Sequence, residues 1–119
     1  MDVFDSAESP IANRVAHILL VEDEVDVRNS IKLQLEEEGH QVVETESGSE
    51  ALALAESSQF DIVLTDVMIP DIDGIELVQR INQLPNHPVT IVMTGYGSVE
   101  MAVKAIKAGA FDFLSKPFS

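Results

Sequence analysis

The sequence predicts a doubly wound α/β domain around a five-stranded parallel sheet. Three observations carry that prediction. Short apolar runs of strand length alternate with helical patterns five times along the chain. The runs at 17–21 and 61–65 contain the unbroken apolar stretches Ile18-Leu19-Leu20-Val21 and Ile62-Val63-Leu64, as strands covered on both faces require. Both runs also deliver acid at their C-terminal ends, Glu22-Asp23 after the first and Asp66 after the second, the edge where such sheets place their functional crevice.

The elements follow in order. Residues 1–16 mix Asp, Ser, Glu, Pro and Asn with scattered apolar residues and show no usable period, so they are expected to form a flexible N-terminal arm. The first strand is His17-Ile18-Leu19-Leu20-Val21. A helix follows over about 24–38, since Val27, Ile31 and Leu35 recur every four residues and Gly39 supplies a stop. The second strand spans 41–45, and Ala51, Leu52 and Ala55 mark a short second helix after Gly48, with Ser49 as its cap. The third strand spans 61–65. Ile75, Val78 and Ile81 mark a third helix that Pro85 ends. After a fourth strand at 89–93, a helix runs from about Ser98 through Ala102, Ala105 and Ile106 to Gly109, and 111–115 makes the fifth strand. Met93, Met101 and Phe111 read as core. The helix that normally follows a fifth strand is missing before Ser119. One face of that strand is therefore expected to lie open, unless more chain, a partner or the N-terminal arm covers it.

Composition sets limits. A chain of 119 residues with 45% hydrophobic content can form one domain with a real core but not two. It has no cysteine, so disulfides and thiolate metal sites are excluded. No apolar stretch reaches the roughly 18 residues of a membrane span and the N-terminus lacks a basic signal, so a cytoplasmic location is expected. The net charge of −14, with no Lys/Arg cluster, argues against direct binding to nucleic acid by this segment. Most of the acids read as a solvated surface. Asp71 and Asp73 read as solvated turn acids near the site, and His17, His40 and His87 as structural or surface residues without metal spacing.

Glu22, Asp23 and Asp66 remain as acids that a parallel sheet would gather at one edge. Hard oxygen ligands of this kind suit Mg²⁺. Thr94 ends the fourth strand and Lys116 follows the fifth, so both arrive at the same edge. A carboxylate, a metal site, a hydroxyl and an ammonium are the groups that phosphoryl transfer to an aspartate needs.

These residues resemble the receiver domain of two-component response regulators. The resemblance rests on Glu22-Asp23, on Asp66 followed by Pro70 and Gly74, on Thr94-Gly95 and on Lys116-Pro117-Phe118, and it covers residues 17–119. It implies a flavodoxin-like strand order of 2-1-3-4-5 and a phosphorylation-dependent signalling switch. Asp66 would be the phosphoacceptor, served by a sensor histidine kinase or a small phosphodonor. The implied Mg²⁺ ligands are Asp23, Asp66 and the Met68 backbone carbonyl, with Glu22 acting through water. Lys116 would pair with the phosphoryl group. Thr94 and Phe113 would act as the switch pair, altering the surface of the fourth helix and fifth strand. The Lys116-Pro117 bond is typically cis in relatives. The implied partners are the kinase, an output domain beyond Ser119 or a separate protein, and a second copy in a homodimer. The stretches 95–98 and 109–114 look most similar to receivers attached to transcription activators of the AAA+ kind.

Some positions depart from the family pattern. Ile69 stands where relatives often carry Met, a harmless packing change, and Phe113 lacks a tyrosine hydroxyl. Met68 and Tyr96 flank the expected path of an attacking water, so slow self-dephosphorylation is expected, while Gly95 leaves access to Asp66 open. Two other readings share the topology. A small aspartyl-phosphate hydrolase resembling the haloacid dehalogenase family would need a second Asp two positions after the nucleophile, where this chain has Met68. A flavodoxin-like binder of flavin mononucleotide would need a phosphate loop where this chain has Glu22-Asp23-Glu24. The expected chemistry is thus self-phosphorylation and self-dephosphorylation, without turnover of an external substrate.

Overall fold

The structure, a computed structural model, describes residues 15–95 and 99–116. In chain order its elements are β1 (His17–Val21), α1 (Val25–Glu37), β2 (Gln41–Thr45), α2 (Gly48–Ser57), β3 (Ile62–Asp66), α3 (Gly74–Asn82), β4 (Val89–Thr94), α4 (Val99–Lys107) and β5 (Asp112–Ser115). All strand pairs are parallel and the order is β2-β1-β3-β4-β5, as expected. The order reverses beside β1, which opens a crevice between the C-terminal ends of β1 and β3.

The unbroken apolar runs are explained by burial on both faces. Ile18, Leu20, Ile62, Leu64, Ile91, Met93 and Leu114 point to one side of the sheet and meet Ile31 and Leu35 of α1. Leu19, Val21 and Val63 point the other way, onto Ala51 of α2 and Leu77 and Ile81 of α3. Val92 packs with Val78 of α3 and Ala105 of α4. Each fully buried Leu or Ile contributes roughly 1.5–3 kcal/mol, which fixes the strand register on which the site depends.

Several expectations need correction. Ala16 does not belong to an arm: it is 1% exposed, its amide donates to His40 Nδ1 at 3.0 Å, and its carbonyl accepts from Gln41. Ser47, not Ser49, caps α2, accepting a bond from the Glu50 amide at 3.1 Å. Helix α3 stops at Asn82, before Pro85, because Gln83 and Leu84 already donate to Arg80 and Ile81 in a tightened last turn. Phe111 is 50% exposed and lies just outside β5, the buried place being taken by Ala110. The open face expected on β5 is not found at Leu114, which is 8% exposed within the α1-side core. Apolar exposure lies instead on the opposite side, at Phe113. The expectations placed on residues 1–14, Tyr96, Ser98, Pro117 and Phe118 lie outside the described residues.

Candidate functional site

The first acid is delivered by an extension of β1. The Glu22 amide donates to the Thr45 carbonyl at 3.1 Å, so pairing with β2 continues to the point where the chain turns into α1. The Glu22 side chain is fully buried there. Its Oε1 accepts from Lys116 Nζ at 3.0 Å and its Oε2 from the Glu24 amide at 3.1 Å. Burial raises the Glu22 pKa above the usual carboxylate value, against the lowering effect of the Lys116 bond; the nearby Asp66 charge adds to the rise. The sign follows from linkage: a raised folded pKa weakens the fold as pH climbs from about 4.3 through the folded value.

Asp66 is the last residue of β3 and is 5% exposed. The Met68 amide donates to Asp66 Oδ1 at 2.9 Å, and Lys116 Nζ donates to Oδ2 at 2.5 Å. Lys116 arrives because its amide donates to the Thr94 carbonyl at 2.7 Å, carrying the pairing of β4 and β5 one residue past Ser115. Burial works against the ammonium, but the bonds to Asp66 and Glu22 outweigh it and the Lys116 pKa stands above its ordinary value. Thr94 is 2% exposed at the same strand end. Phe113 lies on β5 with its side chain 41% exposed, so it is not turned into the core.

Asp23 completes the cluster, more open to solvent than its two neighbours. One carboxylate oxygen from each of Glu22, Asp23 and Asp66 lies within 4.8 Å of the others. Three carboxylates against the single Lys116 ammonium leave an excess of negative charge in a largely buried place. That donor set, all hard oxygen, fits a divalent cation such as Mg²⁺.

All four charged residues named from the sequence thus meet at one edge, with Thr94 beside them in the backbone ladder. Other residues had escaped sequence reasoning. Arg28 Nη1 donates to the Glu22 carbonyl at 2.8 Å while its Nε donates to Glu44 Oε1 at 3.1 Å, and Lys32 reaches Glu44 Oε2 at 2.8 Å. The Lys32 bond foremost, with help from Arg28, holds the Glu44 carboxyl below its usual range. An arginine early in the helix that leaves the acids was the only available signal. Asp71 and Asp73 are not merely solvated turn acids. Asp73 caps α3, accepting from the Ile75 amide at 2.8 Å, and Asp71 bonds to Ser47, Gly48 and Ser49 at the start of α2. The histidines take structural or surface places, as expected: His17 lies tilted against Phe60 with ring centroids 4.6 Å apart, His40 is 8% exposed beside Ala16, and His87 is exposed.

The response regulator receiver domain model matches residues 18–119. The chain belongs to that family. As a receiver it is a phosphorylation-dependent switch of two-component signalling. Among curated relatives it is 44% identical over 103 residues to the response regulator protein PilR of Pseudomonas aeruginosa, a match covering 83% of this chain and 22% of PilR. It is 40% identical over 99 residues to the transcriptional regulatory protein FixJ of Rhizobium meliloti, covering 83% of this chain and 48% of FixJ. The receiver therefore spans between about a fifth and a half of these two relatives' lengths. A solved structure of a putative response regulator from Chloroflexus aurantiacus superposes with a TM-score of 0.85 at 31% identity, covering 89% of this receiver and 88% of that chain. Among the described residues, no helix is long and apolar enough to cross a membrane.

Proposed function

We propose that this receiver accepts a phosphoryl group on Asp66 and signals through the surface of α4 and β5. The observation that carries the reading is the Lys116 ammonium bridging Glu22 and Asp66 beside Asp23, at the end of the sheet where the acids gather. In the transfer, an Asp66 carboxylate oxygen forms a bond to phosphorus. The bond from phosphorus to the donor breaks, to nitrogen in a phosphohistidine or to oxygen in acetyl phosphate, and the leaving group keeps the electron pair. Lys116 is already within bonding distance of Asp66 and moves onto the new phosphoryl oxygens, releasing Glu22 from part of its pairing. Thr94 would donate its hydroxyl to one of those oxygens.

Mg²⁺ would be held by Asp23, Asp66 and the Met68 carbonyl, with Glu22 acting through water, and would supply charge neutralisation at the phosphoryl oxygens. The donor would be a sensor histidine kinase or a small phosphodonor. The output would be a further domain or a partner protein, of the AAA+ activator kind by resemblance. A stripe of exposed apolar side chains supports the choice of output surface: Val99, Val103 and Ile106 on α4, with Phe113 on β5. The reaction is confined to the receiver's own carboxylate. Met68, two positions after Asp66, is a thioether that cannot serve as an acid/base for turnover, and the acyl phosphate is expected to decay slowly.

Treatment with acetyl phosphate and Mg²⁺, followed by intact mass, tests the reading. Wild type should gain one phosphoryl group and Asp66→Asn should gain none. Equal labelling of the two, or no labelling of wild type, overturns it.

A further inference from the structure

The loop from Val67 to Asp73 links the acidic cluster to α3, and it is held at both of its ends. At the near end the Met68 amide holds Asp66 Oδ1. At the far end the Gly74 amide donates to the Val67 carbonyl at 3.2 Å, and a Cβ at Gly74 would come within 2.6 Å of the Val67 Cα and 2.7 Å of the Asp66 carbonyl oxygen. Between these points the loop is tied to a different element. Asp71 Oδ2 accepts from the Ser47 hydroxyl at 2.8 Å and from the Ser49 amide at 3.0 Å, and Oδ1 accepts from the Gly48 amide at 2.9 Å.

Gly48 and Ser49 open α2, where backbone amides have no partner within the helix and the helix dipole favours an anion. The Asp71 carboxyl is accordingly held well below the usual carboxylate range, by the Ser49 and Gly48 amides first and the Ser47 hydroxyl after them. Apolar contact supports the polar one. Ile69 and Ile72 close over Gly48 so tightly that a Cβ there would collide with both side chains. Asp71 thus makes three bonds to residues 22 to 24 positions away, a larger investment than a solvated turn acid makes.

We propose that Asp71 is a positioning residue for the acidic site: by clamping the loop onto the start of α2, it fixes the Met68 backbone that faces Asp66. The inference rests on the reading of Asp66 and the Met68 carbonyl given above. Met68 lies three residues from Asp71, with Pro70 between them to stiffen φ. Releasing the clamp frees the middle of the loop while leaving β3 and α3 in the core. Its effect should therefore fall on the site before it falls on the fold.

Calorimetric titration of the full chain with Mg²⁺ tests this directly, with melting temperature measured in parallel. Asp71→Ala should weaken Mg²⁺ binding by on the order of tenfold, the scale seen for groups that orient metal ligands. Asp71→Asn, which keeps an acceptor but loses the charge, should fall between it and wild type. Asn82→Ala removes a side-chain bond to the Gly109 carbonyl far from the site and serves as the control. It should lower the melting temperature yet bind Mg²⁺ as wild type does. If Asp71→Ala fails to fold, Asp71→Asn decides the matter. Wild-type affinity in the folded Asp71 variants, or an equal loss in Asn82→Ala, overturns the clamp. A wild type that binds Mg²⁺ but takes no phosphate sinks the phosphoacceptor reading alone, and the calorimetry still decides the clamp. A wild type that binds no Mg²⁺ overturns both.

Discussion

Single side chains show where burial has been put to use and where it has not. Glu22 is a buried acid with bonds to both carboxylate oxygens, whereas the Thr90 hydroxyl is buried with no hydrogen-bond partner among the described residues. Thr90 lies on β4 facing the apolar cluster of Val92 and Ala105, and is 1% exposed. An unpaired buried hydroxyl costs about 1–3 kcal/mol. Thr90→Val keeps the shape and removes the hydroxyl, so it should stabilise the fold by about 1 kcal/mol; urea unfolding measures the change, and a loss of stability would show that the hydroxyl has a partner after all. The contrast also marks what could be read in advance. Glu22, Asp23, Asp66 and Lys116 were legible because a strand end places its residue without help from side-chain detail. Asp71 was not, because its partners sit on another element and nothing in the local pattern announces them.

Elements were legible where periodicity was strong and illegible where a boundary depends on a cap. The apolar spacing of Ile31 and Leu35, or of Val78 and Ile81, gives the helix and its buried face together. The start of α2 was misplaced because Ser47 and Ser49 are equally good caps in sequence, and only the Glu50 bond to Ser47 separates them. Ala102 and Ala105 are buried in α4 while Ile106 stays 42% exposed, so residue size alone would have turned that helix the wrong way. At the junction of β3 and α3, Gly74 allows a close approach of backbones that no other residue permits. Gly74→Ala should therefore destabilise by about 1–3 kcal/mol, since the obstacle is main chain and cannot swing aside. Thermal unfolding of the variant reads this out, and an unchanged midpoint would mean the loop yields freely.

For the molecule as a whole, the alternation of strands and helices made the architecture legible, while the pairing of distant loops was not. The net charge of −14 concentrates three carboxylates against one ammonium in the crevice, so cation binding should couple to folding. Mg²⁺ at a hundred times its dissociation constant should add about 2.7 kcal/mol to the stability of wild type. Asp23→Asn should lose most of that gain at the same Mg²⁺ concentration, as differential scanning calorimetry would show; an equal gain in both would place the cation elsewhere. The bridge from Lys116 to Glu22 has a further consequence. It joins positions 94 residues apart, one just after β1 and the other just after β5. A chain emerging from the ribosome carries both acids of its opening strand long before it carries the lysine. The cluster is therefore incomplete until the last strand has docked, and its assembly marks the closing of the sheet.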